Sequence, residues 1–301
     1  MLHFKKLNLC DIDLLRPFFT DSAVRVGRNC DCTAGGTFMW RDYFKTEYVI
    51  LGGSLIFKVK YFGGVDAFTM PLCGGSCRDT LAAAAEYASF EGLPLAFCAV
   101  AEEDFPLLRD LFGELDCQTE RAWSDYVYNA CDLAALTGRR YSGQRNHINK
   151  FHKLYPNAVY EDVTDANRME AAEFIRRCGT RSAEMSPLAR EEAEKAGELA
   201  ENCALYRAYG GLIRVDGAIA AAAYGEIVGE TLFVHVEKAD LSYEGVYPVI
   251  VQAFASKFTG ERVRFINREE DDGVDGLRTV KLSYHPARLI NKYLVRVKPK
   301  I

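Results

Sequence analysis

Nowhere in these 301 residues is there an apolar run near the roughly 20 that a membrane-crossing helix needs. Apolar-leaning stretches such as Leu212–Ile213 and Ala218–Tyr224 fall far short. No signal-peptide hydrophobic region follows Met1-Leu2-His3-Phe4-Lys5-Lys6, because polar Asn8 and Asp11 come next. The composition of a disordered or fibrous chain is missing too: 49% of residues are hydrophobic, 26% charged and 12% aromatic. These absences predict a cytoplasmic globular protein with no integral membrane segment. Its length suits two domains of about 130–160 residues each.

A metal framework is also absent, although there are ten cysteines. The closest pairs, Cys30-x-Cys32 and Cys73-x3-Cys77, have no second pair and no His-x3–5-His to complete a zinc set. Cys10, Cys98, Cys117, Cys131, Cys178 and Cys203 stand singly among mostly apolar neighbours. Reduced core thiols are the expectation.

The charge is uneven. Residues 1–138 carry 12 Lys and Arg against 19 Asp and Glu, whereas residues 139–301 carry 25 against 23. A polyanion would therefore find its basic surface in the second half. Strand-like runs at 47–51 and 54–60 flank Gly52-Gly53, a strong hairpin signal. An alanine-rich helix is expected behind Asp79, a buried strand at Leu95–Val100, and a closing strand at Trp123–Tyr128. After Thr137-Gly138 the pattern restarts with a helix at 141–154 and helices at 165–178 and 187–202, the last capped by Ser186 before Pro187. Strands follow between glycine turns, then strand, helix, strand, a short helix at 277–284, and a final strand at Leu289–Val297. That order is the GNAT acyltransferase order, and the first half reads as a shortened version of it. The expected domains are 1–137 and 138–301, with the site in the second.

Three segments hold the candidate chemistry. Arg139-Arg140-Tyr141-Ser142-Gly143-Gln144-Arg145-Asn146-His147-Ile148-Asn149-Lys150-Phe151-His152-Lys153 contains five Lys or Arg, two His and no carboxylate, which suits phosphates as well as a solvated helix face. In Phe233-Val234-His235-Val236-Glu237-Lys238, strand alternation would place His235 and Glu237 on one face. Either could take a proton from an attacking amine, or the two could form a structural ion pair. In 267–286, Arg278, Lys281 and Tyr284 or His285 would share a helix face. A tyrosine there could protonate a leaving group, and the cations could hold phosphate or an oxyanion. The acid run Glu269-Glu270-Asp271-Asp272 departs from the alternate spacing of a calcium loop, so it reads as a solvated turn, a pin for those cations or an attractor of an amino group.

One more absence bears on the donor. Enzymes that bind coenzyme A on this scaffold hold pyrophosphate with backbone N–H groups of an R/Q-x-x-G-x-G/A loop at a helix start. The loop at that place, Ser242-Tyr243-Glu244-Gly245-Val246-Tyr247, has a single glycine and an acid beside it, and Arg140–Arg145 is a partial match in the wrong place.

Taken together, Arg145-Asn146-His147-Ile148-Asn149-Lys150-Phe151, His235-Val236-Glu237-Lys238-Ala239, Asn267-Arg268-Glu269-Glu270-Asp271-x-Gly273 and Leu277-Arg278-x3-Lys281-Leu282-Ser283-Tyr284-x-Pro286 carry a resemblance. The chain resembles an uncharacterised bacterial family with the fold of the phosphatidylglycerol lysyltransferase C-terminal domain, more distantly similar to the Fem-type peptidyltransferases. The likeness covers essentially the whole chain, but the membrane-embedded N-terminal part of the lysyltransferase is lacking. It implies an α+β fold of tandem GNAT-like (acyl-CoA N-acyltransferase) domains with mixed, mostly antiparallel sheets. By analogy it implies aminoacyl transfer from charged tRNA to an amine or hydroxyl acceptor, which would be a small molecule, peptide or lipid head group. No cofactor is then needed, since aminoacyl-tRNA is the co-substrate. On that view His235, Glu237, Lys281 and Tyr284 are catalytic, while Arg145, His147, Asn149, Lys150, Lys238, Asn267, Arg268, Glu269 and Arg278 bind substrate or phosphate, with no metal. The alternatives are a CoA-dependent N-acyltransferase with a degenerate phosphate loop and a non-catalytic double-GNAT binding protein.

Overall fold

A computed structural model describes residues 2–19, 29–183, 187–260 and 262–298. Ser186, the expected cap, lies outside them. The chain forms two compact units: Met1–Asp125 with Glu270–Val274 and Leu289–Ile301, and Tyr126–Glu269 with Asp275–Arg288. They are not two successive halves, since the second begins before the expected boundary at 137/138. The C-terminal strand belongs to the first.

In the first unit the sheet order is Lys5–Lys6, Glu47–Leu51, Ser54–Tyr61, Val65–Thr69, Ala96–Val100, Tyr293–Val297, Leu115–Gln118. The Gly52-Gly53 turn is present with φ of 56° and 78°, and Leu51 pairs with Ser54. Positive φ at both turn residues is what a two-residue hairpin requires, and glycine adopts it without steric penalty. Val65–Thr69 and Ala96–Val100 run parallel, so a crossover is needed, and the helix Cys77–Phe90 supplies it. Ile56, Phe68, Leu81, Phe97, Leu108 and Val295 fill the core between sheet and helices. Residues 289–297 are not one strand of the second domain: Tyr293–Val297 inserts between Ala96–Val100 and Leu115–Gln118.

The second unit repeats the device. Inward from Asp125–Asn129 the strands are Phe265–Asn267, Thr231–Ala239, Ala218–Val228, Tyr209–Val215 and Val159–Asp162. Here Thr231–Ala239 and Phe265–Asn267 are parallel, joined by the helix Val246–Phe258. The run expected at Trp123–Tyr128 is a strand from Asp125, and it pairs through Val127, Tyr128 and Asn129 with Phe265–Asn267. It therefore builds the second sheet instead of closing the first. Leu232, Val234, Ile250, Phe254 and Ile266 make the core beneath it. The architecture is α+β with two mostly antiparallel sheets, as the element order predicts.

Among the described residues no helix is long and apolar enough to cross a membrane. Among the described residues eight cysteines are free thiols, but Cys77 is disulfide-bonded, which corrects the expectation of reduced thiols throughout.

Candidate functional site

A bulge decides which side chains can act together. Along the pair Ala218–Val228/Thr231–Ala239, Tyr224 faces Val236 but Gly225 faces Val234, leaving His235 as an extra residue. One inserted residue resets the alternation of a strand. Val234 and Glu237 consequently share the face of the main core, where Ala223 pairs with Glu237. His235 turns to the other face, so the expected side-by-side His/Glu pair is not formed. Gly225 is required here, because a Cβ would collide with the Phe233 carbonyl.

His235 is clamped between two acids. Nδ1 lies 2.7 Å from Glu269 Oε1 and Nε2 lies 3.0 Å from Glu226 Oε1. Both ring nitrogens meet acceptors, so both must carry protons. Burial alone would favour the neutral ring, but the bonds to Glu226 and Glu269 overcome it and push the pKa up to about 10. Held charged, the ring is a poor proton acceptor, and it ties the strand to the loop in which Asn267 Oδ1 accepts from the Glu269 amide at 2.8 Å.

On the opposite face sits a buried ion pair. Arg268 Nη2 donates to Glu237 Oε2 at 2.5 Å, and Nε donates to the same oxygen at 3.1 Å. The guanidinium carbon lies 5.0 Å from the Tyr284 ring centroid and 5.8 Å from that of Tyr128. Arg268 is 4% exposed, yet its Nη1 is buried with no hydrogen-bond partner. Glu237 Oε1 takes neither Arg268 bond. Burial, opposed by Arg268, pushes the Tyr284 phenol up to about 12, so it is a neutral donor. The Tyr247 hydroxyl donates to the Glu237 carbonyl at 3.1 Å.

Lys281 and Tyr284 are buried and Arg278 is half-buried, so the expected inward stripe of the 277–284 segment exists. Their tasks differ, however. Lys281 Nζ donates to the Arg268 carbonyl at 2.6 Å and braces that loop. Arg278 lies 3.9 Å from exposed Asp275. Lys238 pairs with Glu192 at 2.6 Å.

The basic helix, Ser142–Leu154, keeps only part of its charge for a partner. Arg145 Nη1 donates to the Leu136 carbonyl and, at 2.7 Å, to that of Gly138, closing the end of the preceding helix. Lys150 pairs with Glu244 at 2.6 Å. Arg145 thus caps that helix end. Arg139, His147, Asn149, His152 and Lys153 are exposed.

The first unit holds a second buried charge cluster, which sequence reading missed. Lys292, 1% exposed, lies 2.7 Å from Asp31 and 2.9 Å from Asp125, and also contacts Glu270 and, at 3.5 Å, Cys30 Sγ. Cys30, Asp31 and Glu270 converge closely enough to hold a metal ion, but the Lys292 ammonium already stands among them. The acid run is therefore no solvated turn: Glu269 serves His235, Glu270 serves Lys292, and Asp271 accepts from the Gly273 amide at 3.0 Å. Glu226 also escaped notice, although it is the lone acid in an otherwise uncharged strand.

Known proteins share this chain's family and fold. A family described as phosphatidylglycerol lysyltransferase, C-terminal, matches residues 26–296. The chain belongs to that family. A protein of unknown function from Bacteroides thetaiotaomicron is 32% identical, with a TM-score of 0.89 over 99% of this chain and 100% of that one. The L-PGS structure from Bacillus licheniformis is 14% identical, with a TM-score of 0.67 over 96% and 92%. FemX is 9% identical, with a TM-score of 0.59 over 97% of each. The last two bear on fold alone. An uncharacterized curated protein of Mycoplasmoides gallisepticum is 25% identical over 190 residues, 58% of this chain, and the chain spans 56% of that protein.

Proposed function

We propose that the second unit transfers an aminoacyl group from an aminoacyl-tRNA ester to an amine or hydroxyl acceptor. The observation that carries this reading is the buried Arg268–Glu237 pair, which leaves one N–H edge and one carboxylate oxygen unused. Aminoacyl transfer needs both: a donor for the oxygen that becomes negative as the acceptor attacks, and a base for the proton the acceptor loses. Arg268 Nη1 would hold the ester carbonyl oxygen and Glu237 Oε1 would take the proton. The neutral Tyr284 phenol would then donate to the departing ribose oxygen. Asn267 and Lys281 would position these groups by holding the loop. A small molecule, a peptide or a lipid head group would serve as acceptor.

The CoA-dependent reading is disfavoured by the start of the helix Val246–Phe258. Gly245 adopts φ 84°, and a Cβ there would lie 2.6 Å from the His147 carbonyl, so the basic helix is packed against the place where pyrophosphate would sit. Glu244 adds an acid at the same point.

The test is single-turnover loss of the ester from a panel of aminoacyl-tRNAs offered with amine and hydroxyl acceptors, run beside thermal shift with acetyl-CoA. Acceptor-dependent loss that disappears in Glu237→Gln is expected. Stabilisation and turnover with acetyl-CoA alone would overturn the reading.

A further inference from the structure

Two successive residues of one loop grip the strand Thr231–Ala239 on both of its faces. Arg268 reaches Glu237 on the core face, and Glu269 reaches His235 on the other. In a regular strand His235 and Glu237 would share a face, and successive residues of an extended neighbour, pointing opposite ways, could not hold both. The bulge opposite Gly225 turns His235 over and makes the double grip possible. The loop is shaped to match. Glu269 adopts φ 55°, left-handed backbone that a residue of this kind rarely takes. Its amide donates to Asn267 Oδ1 at 2.8 Å, its carbonyl accepts from the Tyr126 amide at 3.1 Å, and its carboxylate meets His235 Nδ1 at 2.7 Å.

Backbone held in a sparsely populated conformation persists only while its surroundings over-determine it. Releasing the Glu269 carboxylate therefore lets the 268–269 peptide relax, and Arg268, whose carbonyl Lys281 Nζ holds at 2.6 Å, turns with it. The guanidinium has little room to compensate, since it lies against the Tyr284 and Tyr128 rings with Nε and Nη2 both on one Glu237 oxygen. The two bonds of the His235 ring thus do different work. Nδ1 holds the loop that carries Arg268. Nε2 meets Glu226 on the strand Ala218–Val228, which the backbone ladder already pairs with Thr231–Ala239 from Ala221 to Val228.

We propose that His235 is a positioning residue that acts through Glu269 to hold the unused N–H edge of Arg268 in place for the transfer. Its effect on transfer rests on Arg268 being the oxyanion donor, as proposed above; its hold on Arg268 does not.

The unequal work of the two ring bonds gives the test its contrast. The full chain, labelled at its arginine nitrogens, is followed by NMR, and the guanidinium N–H signal of Arg268 is identified by its loss in Arg268→Lys. Solvent exchange of that N–H and the single-turnover rate at saturating aminoacyl-tRNA are read in His235→Gln, Glu269→Gln and Glu226→Gln. In the first two, exchange is expected to quicken about tenfold or more, because the buried bond now opens locally. The rate is expected to fall about 10–10²-fold, as a displacement of about 1 Å can cost. The donor concentration for half-maximal rate should change by less than about twofold, since the loss is felt in the transition state. Glu226→Gln keeps the Glu269 bond, so it should lower thermal stability and leave both exchange and rate within about twofold. Glu269→Gln keeps the size of its side chain and decides the matter if His235→Gln does not fold. Unchanged Arg268 exchange in either folded variant would overturn the proposal. So would losses in Glu226→Gln equal to those in the other two, which would make His235 a source of stability alone. A wild type without transfer, but with faster Arg268 exchange in His235→Gln, would overturn the transfer reading and support the hold on Arg268.

Discussion

Both units are built on two parallel strands bridged by one helix, and both irregularities fall on those strands: His235 is extruded in the second unit and Ala99 turns left-handed in the first. What each unit buries beside the irregularity differs. The second buries a guanidinium with one carboxylate, and an N–H edge is left over. The first buries an ammonium among three carboxylates. Buried charge is tolerated only when paired, so the spare N–H edge of the second unit suits an entering oxygen. A shared backbone thus fixes where regular pairing breaks, and a few charged side chains fix what suits that place.

The largest expected effect breaks the second unit's half of this contrast. Arg268→Lys keeps a positive charge for Glu237 but removes the spare Nη1. Transfer is expected to fall about 10²–10³-fold, the usual loss for one oxyanion donor. Glu237→Gln should cost about 10²–10⁴-fold through loss of the base. Single-turnover rates at saturating donor are the measurement. Unchanged rates in a folded Arg268→Lys protein would leave the spare N–H without a catalytic role.

Next in size is the first unit's cation. Lys292→Met leaves Asp31, Asp125 and Glu270 facing one another without their ammonium, and stability should drop by about 3–5 kcal/mol. Urea unfolding checks it. A loss under about 1 kcal/mol would mean that the carboxylates reach solvent or another partner.

A smaller, pH-dependent effect belongs to His235. Its folded pKa of about 10 lies above the ordinary value of about 6.5, so the clamp binds its proton more tightly when folded. Its stabilisation is therefore complete below about pH 6.5 and is lost as pH rises through about 10, amounting to a few kcal/mol. Comparing wild type with His235→Gln from pH 6 to 10.5 isolates it. The advantage of the wild type should shrink steadily with rising pH. A constant gap would mean that the ring is neutral, and it would return His235 to consideration as a base.

Periodicity and turn chemistry made much of the fold legible. Gly52-Gly53 announces its hairpin, and the strand–helix–strand order is visible in both halves because alternation and helical spacing are local properties. The return of Tyr293–Val297 to the first sheet was not legible, since nothing in five alternating residues says which sheet edge they will meet. Two of the three segments, 235–238 and 267–284, supply the His235 clamp and the Arg268–Glu237 pair, but their division of labour depends on one inserted residue. Strict alternation puts His235 beside Glu237, and only the pairing with Ala218–Val228 reveals the bulge that separates them. Lys292 and Asp125 were invisible for a related reason: each is a single charge within a strand-like run, and its partners lie far away in sequence.

The smallest effect concerns the basic helix, where sequence and structure disagree on a single residue. Arg145 reads as a phosphate ligand but closes the helix end at Leu136, whose φ of 47° leaves carbonyls that need a donor. Arg145→Gln should therefore cost about 0.5–1.5 kcal/mol of stability and leave the salt dependence of tRNA affinity unchanged. Exposed Lys153 makes the opposite case: Lys153→Gln should leave stability within about 0.5 kcal/mol and lower the salt slope by about 1 if that face meets phosphate. Filter binding across a series of salt concentrations separates the two residues. A slope that falls with Arg145→Gln and not with Lys153→Gln would put the nucleic acid at the helix's first turn, and Arg145 would have to leave its carbonyls to reach it.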